Sequence, residues 1–489
     1  MSAVPDSRPG LSEAFRESPA LIGGCGAAAV SLAILAVYSP KYALGVIVVV
    51  AFFALALRRL ALGVAVFTML TFPEYLPGTL GAGATVAKPL GAVLALAWIV
   101  TIVARPRSTR LLSRDVAGVF WVTCAFLALA GASVLWAPNL AQVQYEIPRL
   151  VQVVLLFLVV YTAASTAKDF RIVIWAFLLA SVITGAYSTA TRNFGAAGRL
   201  SGIFDPNYFA AELIPAILVS FFLALTTSGR TRVLAGIVFA FDMVAFALAQ
   251  SRGGIIGLFV GLVAAVALAG RARPRVLAAV LIIAALAVGF YFEFAPYHLR
   301  STFSQSLAGA SSGRADEWKI AFRMFRNHPL GGVGLGNFVV LEPSYSTQTF
   351  NLNFVNLVVS RPLVAHNSYL EVAAELGLGG VALFAAILGL VWVRAGRALA
   401  VFASTRDPLE FYARGLVAGA IGMFTAYIFL SGQYEKQLWL VLGLLASTSL
   451  LAWQGRVQAR ANEPDDRYRV GRRLLAVPDV ARGQFGGGT

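Results

Sequence analysis

Three polar stretches of this 489-residue chain each carry an arginine beside small or turn-forming residues. The arginines are Arg199 in RLSGIFDPN, Arg252 in SRGG and Arg314 in GRADEW. A guanidinium group remains charged at physiological pH and can bind phosphate oxygens through two parallel N–H donors. The three arginines therefore predict an anionic partner, and a diphosphate at a membrane surface suits them well.

The alternative interpretation of each arginine is structural. An arginine at the end of a membrane helix can extend its charged group to lipid phosphate, or pair with a nearby carboxylate. The group of three favours ligand binding more strongly than any one member does. Arg252 is the strongest single candidate, because it lies in a tight turn between two apolar segments with almost no loop around it.

Histidine is scarce, and His298, His328 and His366 all lie in or directly after one polar segment, residues 295–365. His366 precedes the apolar run that begins at Tyr369, so a helix would hold it at the membrane surface. Because histidine titrates near neutral pH, His366 is the predicted general base for a hydroxyl. The alternative is that His366 has a structural role at the N-terminus of this helix, where its side chain would hydrogen-bond the backbone. His328 precedes a proline, which predicts a helix stop.

Other patterns that could hold a ligand are less specific. The glycine string from Gly331 to Gly336 follows no predicted strand and matches neither nucleotide-binding fingerprint, so it predicts a tight turn. Asp316 and Glu317 are adjacent carboxylates without a partner motif, which is weak support for a metal ion. Cys25 and Cys124 lie within apolar runs. The sequence therefore predicts no metal and no cofactor.

The elements that position these residues are membrane helices. The chain is 58% hydrophobic and only 13% charged, whereas a soluble domain has about a quarter charged residues. Since a span needs about 20 apolar residues, we predict an all-α polytopic membrane protein with about 12–14 transmembrane helices. The predicted centres are Ala29, Val49, Thr68, Leu96, Phe126, Phe157, Leu179, Ala216, Phe241, Val260, Ala284, Phe384, Thr425 and Leu444. The net charge of +16 comes from short basic clusters between spans, so nucleic acid is not an expected partner.

The positive-inside rule assigns the basic connections to the cytoplasm and gives the order of segments. These are a cytoplasmic N-terminal segment (1–20), N-terminal transmembrane helices (21–294), a large outside-facing loop containing short helices (295–365), which is periplasmic if the cell is Gram-negative, C-terminal transmembrane helices (366–453) and a cytoplasmic basic tail (454–489). Within the loop, the spacing of apolar residues over 315–327 predicts an amphipathic helix lying on the outer leaflet. No buried series of acidic residues or lysines is expected in the spans, which argues against a proton-coupled transporter.

Four motifs in this order resemble the O-antigen ligase/polymerase superfamily. They are RLSGIFDPN (199–207), SRGG (251–254), GRADEW continuing to HPLGGVGLGNF (313–338), and AHNSYLEVAAELGLGG (365–380). The resemblance extends over about residues 191–396, with membrane helices and the large late loop around the motifs. It implies a multi-pass protein of the bacterial inner membrane, surrounded by membrane lipids, with its active site facing the periplasm.

The resemblance also implies an inverting, metal-independent glycosyltransferase whose donor is a glycan linked to undecaprenyl diphosphate. His366 would then be the catalytic base, Arg252 and Arg314 would hold the diphosphate, and Arg199 is a third substrate-binding candidate. The first hypothesis is an O-antigen ligase of lipopolysaccharide biosynthesis, whose acceptor is lipid A core. The alternative is a polysaccharide polymerase, whose acceptor is a second lipid-linked glycan. A hypothesis from another class is a lipid or glycan transporter, whose helices would be interrupted in pairs at midplane depth.

Overall fold

The computed structural model describes residues 39–71, 87–104, 114–190, 200, 205–293, 314–349, 352 and 363–462. The α-helices in these ranges are α1 (Pro40–Arg58), α2 (Leu60–Thr71), α3 (Ala87–Ala104), α4 (Arg114–Ala132), α5 (Leu140–Ala163), α6 (Ala167–Ala190), α7 (Pro206–Thr226), α8 (Gly229–Ala249), α9 (Arg252–Leu268), α10 (Arg273–Glu293), α11 (Arg314–Asn327), α12 (Phe338–Gln348), α13 (Ser368–Thr405), α14 (Glu410–Ala426) and α15 (Lys436–Asn462). Short 3-10 turns occupy Ser133–Leu135, Gly270–Ala272 and Tyr427–Phe429.

These helices confirm an all-α polytopic membrane protein. In the described ranges, nine helices are long and apolar enough to cross a bilayer, and α1, α2, α3 and α9 are shorter apolar helices. Thirteen of the fourteen predicted span centres lie inside described helices, and the fourteenth, Ala29, lies outside the described residues. Helix α2 has 12 residues, so it is too short to cross the hydrocarbon core alone, which takes at least about 17.

Small residues bring α7, α9 and α14 into close contact. A Cβ atom added to Gly257 of α9 would lie 2.6 Å from the carbonyl oxygen of Gly422 in α14. Cβ atoms added to Gly415 and Gly419 of α14 would lie 2.7 and 2.5 Å from backbone atoms of α7. Such small-residue contacts are a common means of packing membrane helices. The three helices therefore form a close-packed support for the first turn of α9.

Ion pairs join the basic segments that are predicted to be cytoplasmic. Arg59, between α1 and α2, bonds Asp169 of α6 at 2.6 Å. Arg271, just before α10, bonds the buried carboxylate of Glu410 in α14 at 2.8 Å. Trp175 of α6, six residues after Asp169, donates its Nε1–H to the hydroxyl of Tyr412 in α14, two residues after Glu410, at 3.4 Å. These basic segments therefore lie at one end of the bundle.

The predicted amphipathic helix is present as α11, but its expected position on the lipid surface is wrong. Ile320 and Met324 are fully buried, and they pack with Phe338 of α12 and with Ala365. A helix lying on a bilayer would present these apolar residues to lipid. Protein covers them instead, so α11 and α12 form a small packed unit over the end of the bundle.

The described spans bury individual acidic residues, and the expectation that no continuous series of acidic residues or lysines runs through the spans stays a prediction. Glu212 of α7, Asp242 of α8, and Glu371 and Glu375 of α13 are all buried. Asp242 accepts a hydrogen bond from Ser181 of α6 at 2.8 Å, a type of polar contact that stabilises helix pairs in membranes. The two glutamates of α13 belong to the site described next.

Candidate active site

The N-termini of α7, α9 and α13 meet at the end of the bundle opposite the basic segments. Their capping side chains are Asp205, Ser251 and Asn367, each of which accepts backbone N–H donors of its own helix. Ser251 Oγ also donates to Asn207 Oδ1 at 2.9 Å, which joins the first turns of α9 and α7. Because a helix N-terminus carries partial positive charge, this end of the bundle favours anionic ligands.

The loop that follows α14 connects two of these N-termini. Tyr208, in the first turn of α7, donates its hydroxyl to the carbonyl of Ser431 at 3.0 Å. Ser368, the first residue of α13, donates to the carbonyl of Leu430 at 2.7 Å and accepts the N–H of Gly432 at 2.8 Å. The loop over residues 430–432 therefore fixes α7 and α13 relative to each other.

Arg252 is the first residue of α9, and the tight turn predicted around it is confirmed. Only Gln250 and Ser251 separate α8 from α9. Gln250 adopts a left-handed backbone conformation with φ 49°, and Ser251 accepts the N–H of Gly254 at 3.1 Å. The half-buried Arg252 side chain thus adds a full positive charge to a helix N-terminus.

Arg314 is the first residue of α11, and this helix packs against the start of α9 through aromatic side chains. The ring of Trp318, one turn later, lies 6.1 Å from the ring of Phe429 between centroids. Phe429 in turn contacts α9, since its Cβ lies 3.0 Å from the position of a Cβ added to Gly253. The structure therefore brings Arg252 and Arg314 to two helix starts that both contact Phe429.

His366 lies within electrostatic reach of Arg314 and of Asp205, the cap of α7. Burial lowers the pKa of the imidazole, the charge of Arg314 lowers it further, the charge of Asp205 opposes the shift, and the resulting pKa is about 4. The imidazole is therefore neutral at pH 7 and able to accept a proton. Its Nδ1 atom is buried without a hydrogen-bond partner among the described residues. The residue has φ 46°, which is uncommon for any residue other than glycine.

Glu371, in the first turn of α13, bonds the residue before His366 and the loop that follows α14, and the sequence analysis assigned it no role. Its Oε2 accepts the backbone N–H of Ala365 at 3.1 Å and the hydroxyl of Ser431. Its Oε1 accepts the side-chain amide of Gln433 at 2.7 Å. An acidic residue at the start of a membrane helix is costly to bury and is a functional candidate by default. This position is the signal in the sequence that could have identified Glu371.

The glycine string over residues 331–336 packs against a break in α13. Gly377 interrupts this helix with φ 62°. Val333 and Gly334 donate their backbone N–H groups to carbonyl oxygens of α13 at 2.9 and 2.8 Å. A Cβ added to Gly332 would lie 2.2 Å from a backbone carbon of α13. The string is therefore a tight turn, as predicted, and its close contact with the helix requires glycine.

The structure does not bring every predicted residue into the site. Arg199 and His298 lie outside the described residues. His328 lies at the end of α11, as the predicted helix stop requires, and its Nε2 is 3.1 Å from the hydroxyl of Tyr345. Within the ranges that the structure describes, no group of three or more His, Cys, Asp or Glu side chains is arranged to hold a metal ion.

Comparison with known families identifies the part of the chain that carries this site. Residues 235–385 match a family model described as O-antigen ligase. The matched segment contains Arg252, Arg314 and His366, whereas Arg199 precedes it. The match confirms the resemblance that the motifs indicated. No curated protein matches the chain.

Proposed function

We propose that this protein, whose residues 235–385 match the O-antigen ligase family model, transfers a glycan from undecaprenyl diphosphate to a hydroxyl of lipid A core. One observation carries the proposal. Arg252 and Arg314 stand at helix starts that both contact Phe429, and a neutral His366 lies within electrostatic reach of Arg314. This arrangement supplies cations for a diphosphate and a base for a hydroxyl at one end of the bundle.

The donor chemistry requires positive charge more than any other group. Diphosphate is a good leaving group, so catalysis depends mainly on stabilising the negative charge that develops on it as the glycosidic bond breaks. Arg252 and Arg314 would bind its oxygens through paired N–H donors. The N-termini of α7, α9, α11 and α13 would add partial positive charge to the same region.

The acceptor chemistry requires a base. The acceptor hydroxyl would give its proton to the imidazole of His366 while its oxygen bonds to the anomeric carbon of the donor sugar. The bond from that carbon to the diphosphate oxygen would break, and its electron pair would leave with the diphosphate. Attack from the face opposite the leaving group would invert the anomeric configuration. A bound diphosphate would offset the charge of Arg314 and raise the pKa of His366, which would strengthen the base when donor is present.

We infer that the site faces the periplasm from the inner membrane of a bacterium. The support is the charge distribution, since the segments around Arg59 and Arg271 lie at the end of the bundle opposite the site. Basic connections remain in the cytoplasm when membrane helices insert. Both lipid-borne substrates would then reach the site from the outer leaflet of that membrane.

The experiment that tests this function compares two reactions of the purified full-length protein. Both contain an undecaprenyl-diphosphate-linked glycan, and one also contains lipid A core. Glycan attached to lipid A core would support the ligase. Longer glycans in the reaction with donor alone would instead establish the polymerase, with a second lipid-linked glycan as acceptor. Movement of labelled donor across a vesicle membrane without a new glycosidic bond would favour a transporter and contradict glycosyl transfer.

A further inference from the structure

A group of polar side chains in the packed unit of α11 and α12, whose buried core includes Ala365 next to His366, is not used by the mechanism above. It consists of Glu317 and Trp318 of α11 and Glu342 of α12. Glu317 and Trp318 follow Arg314 by three and four residues, so all three lie on one face of α11. Helices α11 and α12 pack on each other through a small buried core that includes Ile320. The three side chains therefore belong to one packed unit that also carries Arg314.

Each of these three side chains has a buried polar atom without a hydrogen-bond partner in the part of the chain that the structure describes. The atoms are Glu317 Oε2, Trp318 Nε1 and Glu342 Oε1. Glu317 is 3% exposed and Glu342 is 0% exposed. The other carboxyl oxygen of Glu342 accepts the backbone N–H of Leu363. Arg323 Nε of α11 is a fourth such atom in the same unit. Buried polar atoms are nearly always paired, so these exceptions indicate that a ligand completes them.

The charge of the group limits what that ligand can be. Burial raises the pKa of Glu317 to about 7, and the charge of Glu342 contributes to the rise while Arg314 opposes it. Burial also raises the pKa of Glu342 to about 7. At neutral pH each carboxyl is thus present in protonated and ionised forms, and the pair can donate as well as accept hydrogen bonds. The remaining negative charge repels an anion.

A neutral sugar fits this set of donors and acceptors. Sugar hydroxyls can donate to the oxygens of Glu317 and Glu342 and accept from the indole N–H of Trp318. The indole ring, packed near Phe429, adds a rigid amphipathic surface. A diphosphate would be drawn to the arginines and repelled by the two carboxyls, so the group favoured at this position is an uncharged sugar.

This inference rests on the proposed glycosyl transfer. We propose that Glu317, Glu342 and Trp318 form the subsite that binds the hydroxyls of the acceptor sugar beside His366, and that this subsite selects a neutral sugar over an acidic one. The three residues bind and orient the acceptor, and His366 removes its proton.

The subsite is tested by measuring the KM for acceptor and the KM for donor in three variants, Glu317→Gln, Glu342→Gln and Trp318→Phe. Glutamine places an NH2 donor where the ionised carboxylate accepts, and phenylalanine has no N–H donor, so the acceptor KM of each variant should rise about 10- to 100-fold while the donor KM stays unchanged. The matched control is Asp316→Asn, because Asp316 lies in the same turn but bonds Lys319 at 3.1 Å. The control should keep the wild-type acceptor KM. Thermal unfolding is measured for all four variants. If a glutamine variant does not fold, the acceptor KM of Trp318→Phe tests the subsite in its place.

A second acceptor that carries a uronic acid tests the selectivity. The wild type should prefer the neutral acceptor, and Glu317→Gln should reduce that preference. Wild-type acceptor KM values in folded variants would overturn the subsite and leave the carboxyl pair as a structural contact between α11 and α12.

Binding separates failure of the subsite from failure of the transfer reaction. If the wild type transfers no glycan, calorimetry with a neutral core oligosaccharide still decides the question. Binding that weakens in Glu317→Gln would support the subsite although the transfer reaction is refuted. Equal binding by both proteins, or none by the wild type, would overturn the subsite.

Discussion

Glu371 Oε2 accepts the backbone N–H of Ala365 at 3.1 Å, so a carboxylate on the first turn of α13 holds the residue that precedes the proposed base. The same carboxylate bonds Ser431 and Gln433 in the loop between α14 and α15. His366 itself has a left-handed backbone that surrounding contacts must maintain. The position of the proposed base therefore depends on a buried residue of the helix that follows it.

Replacing Glu371 by Gln keeps the size of the side chain and places an amide NH2 group where a carboxylate oxygen accepted donors. We expect the rate of transfer to fall at least about 10-fold and the free energy of unfolding to fall by about 1–3 kcal/mol, because a buried donor loses its acceptor. Turnover and thermal unfolding of the variant measure both effects. The exposed Glu293, at the end of α10, provides the control Glu293→Gln. Wild-type turnover in Glu371→Gln would show that the contact is not needed.

His366→Ala and His366→Gly should both lose transfer, since neither has a group that can accept the hydroxyl proton. They should differ in stability. Because φ at this position is 46°, we expect the glycine variant to be more stable than the alanine variant by about 1 kcal/mol. Thermal unfolding of the two proteins measures this difference. Transfer at the wild-type rate by either variant would exclude His366 as the base.

Arg252→Lys should weaken use of the donor although the charge is kept. Lysine cannot reproduce the two parallel N–H donors of a guanidinium group, so we expect donor kcat/KM to fall about 10- to 100-fold. Arg326→Lys, at the exposed C-terminal end of α11, is the matched control and should behave as the wild type. A donor kcat/KM in Arg252→Lys equal to that of the control would favour a lipid anchor over a diphosphate ligand.

The pH dependence of transfer should depend on whether donor is bound. His366 acts as a base only when neutral, so activity is present above its pKa and lost below it. In the free enzyme the pKa is about 4, and the acid limb of kcat/KM should lie near that value. The limb of kcat should lie at higher pH, because bound diphosphate offsets the charge of Arg314. Arg314→Gln should also raise the pKa of His366. The coupling would be contradicted if the acid limbs of wild-type kcat/KM, wild-type kcat and Arg314→Gln kcat/KM lay at the same pH.

Gly377→Ala should destabilise the protein by about 2–4 kcal/mol. The residue has φ 62°, and a Cβ there would lie 2.4 Å from the carbonyl oxygen of Leu330, so strain and a clash with backbone combine. Gly389→Ala in the same helix is the matched control. A Cβ at Gly389 would have no atom within 4 Å, and we expect the control to be neutral or more stable by about 0.5–1 kcal/mol. Equal unfolding temperatures would contradict the account of the break in α13.

The helices and turns could be predicted because their signals are local. A run of apolar residues long enough to cross a bilayer identifies a span wherever it packs. The turn before Arg252 is marked by Gln250 to Gly254, where polar and small residues interrupt two apolar runs. The resemblance to a known family rests on the same polar stretches.

The contacts that complete the site could not be predicted, because they join distant parts of the chain. Glu371 bonds Ser431 across 60 residues and Gln433 across 62. Gly377 lies in an apolar run that is typical of a continuous helix. The break in α13 at Gly377 accompanies a tertiary contact with the glycine string over 331–336, which local sequence does not indicate. The apolar spacing of α11 correctly predicted an amphipathic helix, but the predicted contact with lipid is wrong, because spacing alone cannot distinguish a lipid surface from a protein surface.

The central claim is that glycan transfer from undecaprenyl diphosphate depends on His366. Its most direct test measures, in one reaction with lipid A core, the glycan attached to the core and the undecaprenyl diphosphate released. We predict equal amounts of the two products from the wild-type protein, and neither product from folded His366→Ala protein that still binds donor. Glycan transfer without an equal release of undecaprenyl diphosphate, or a wild-type rate of transfer by His366→Ala, would contradict the account.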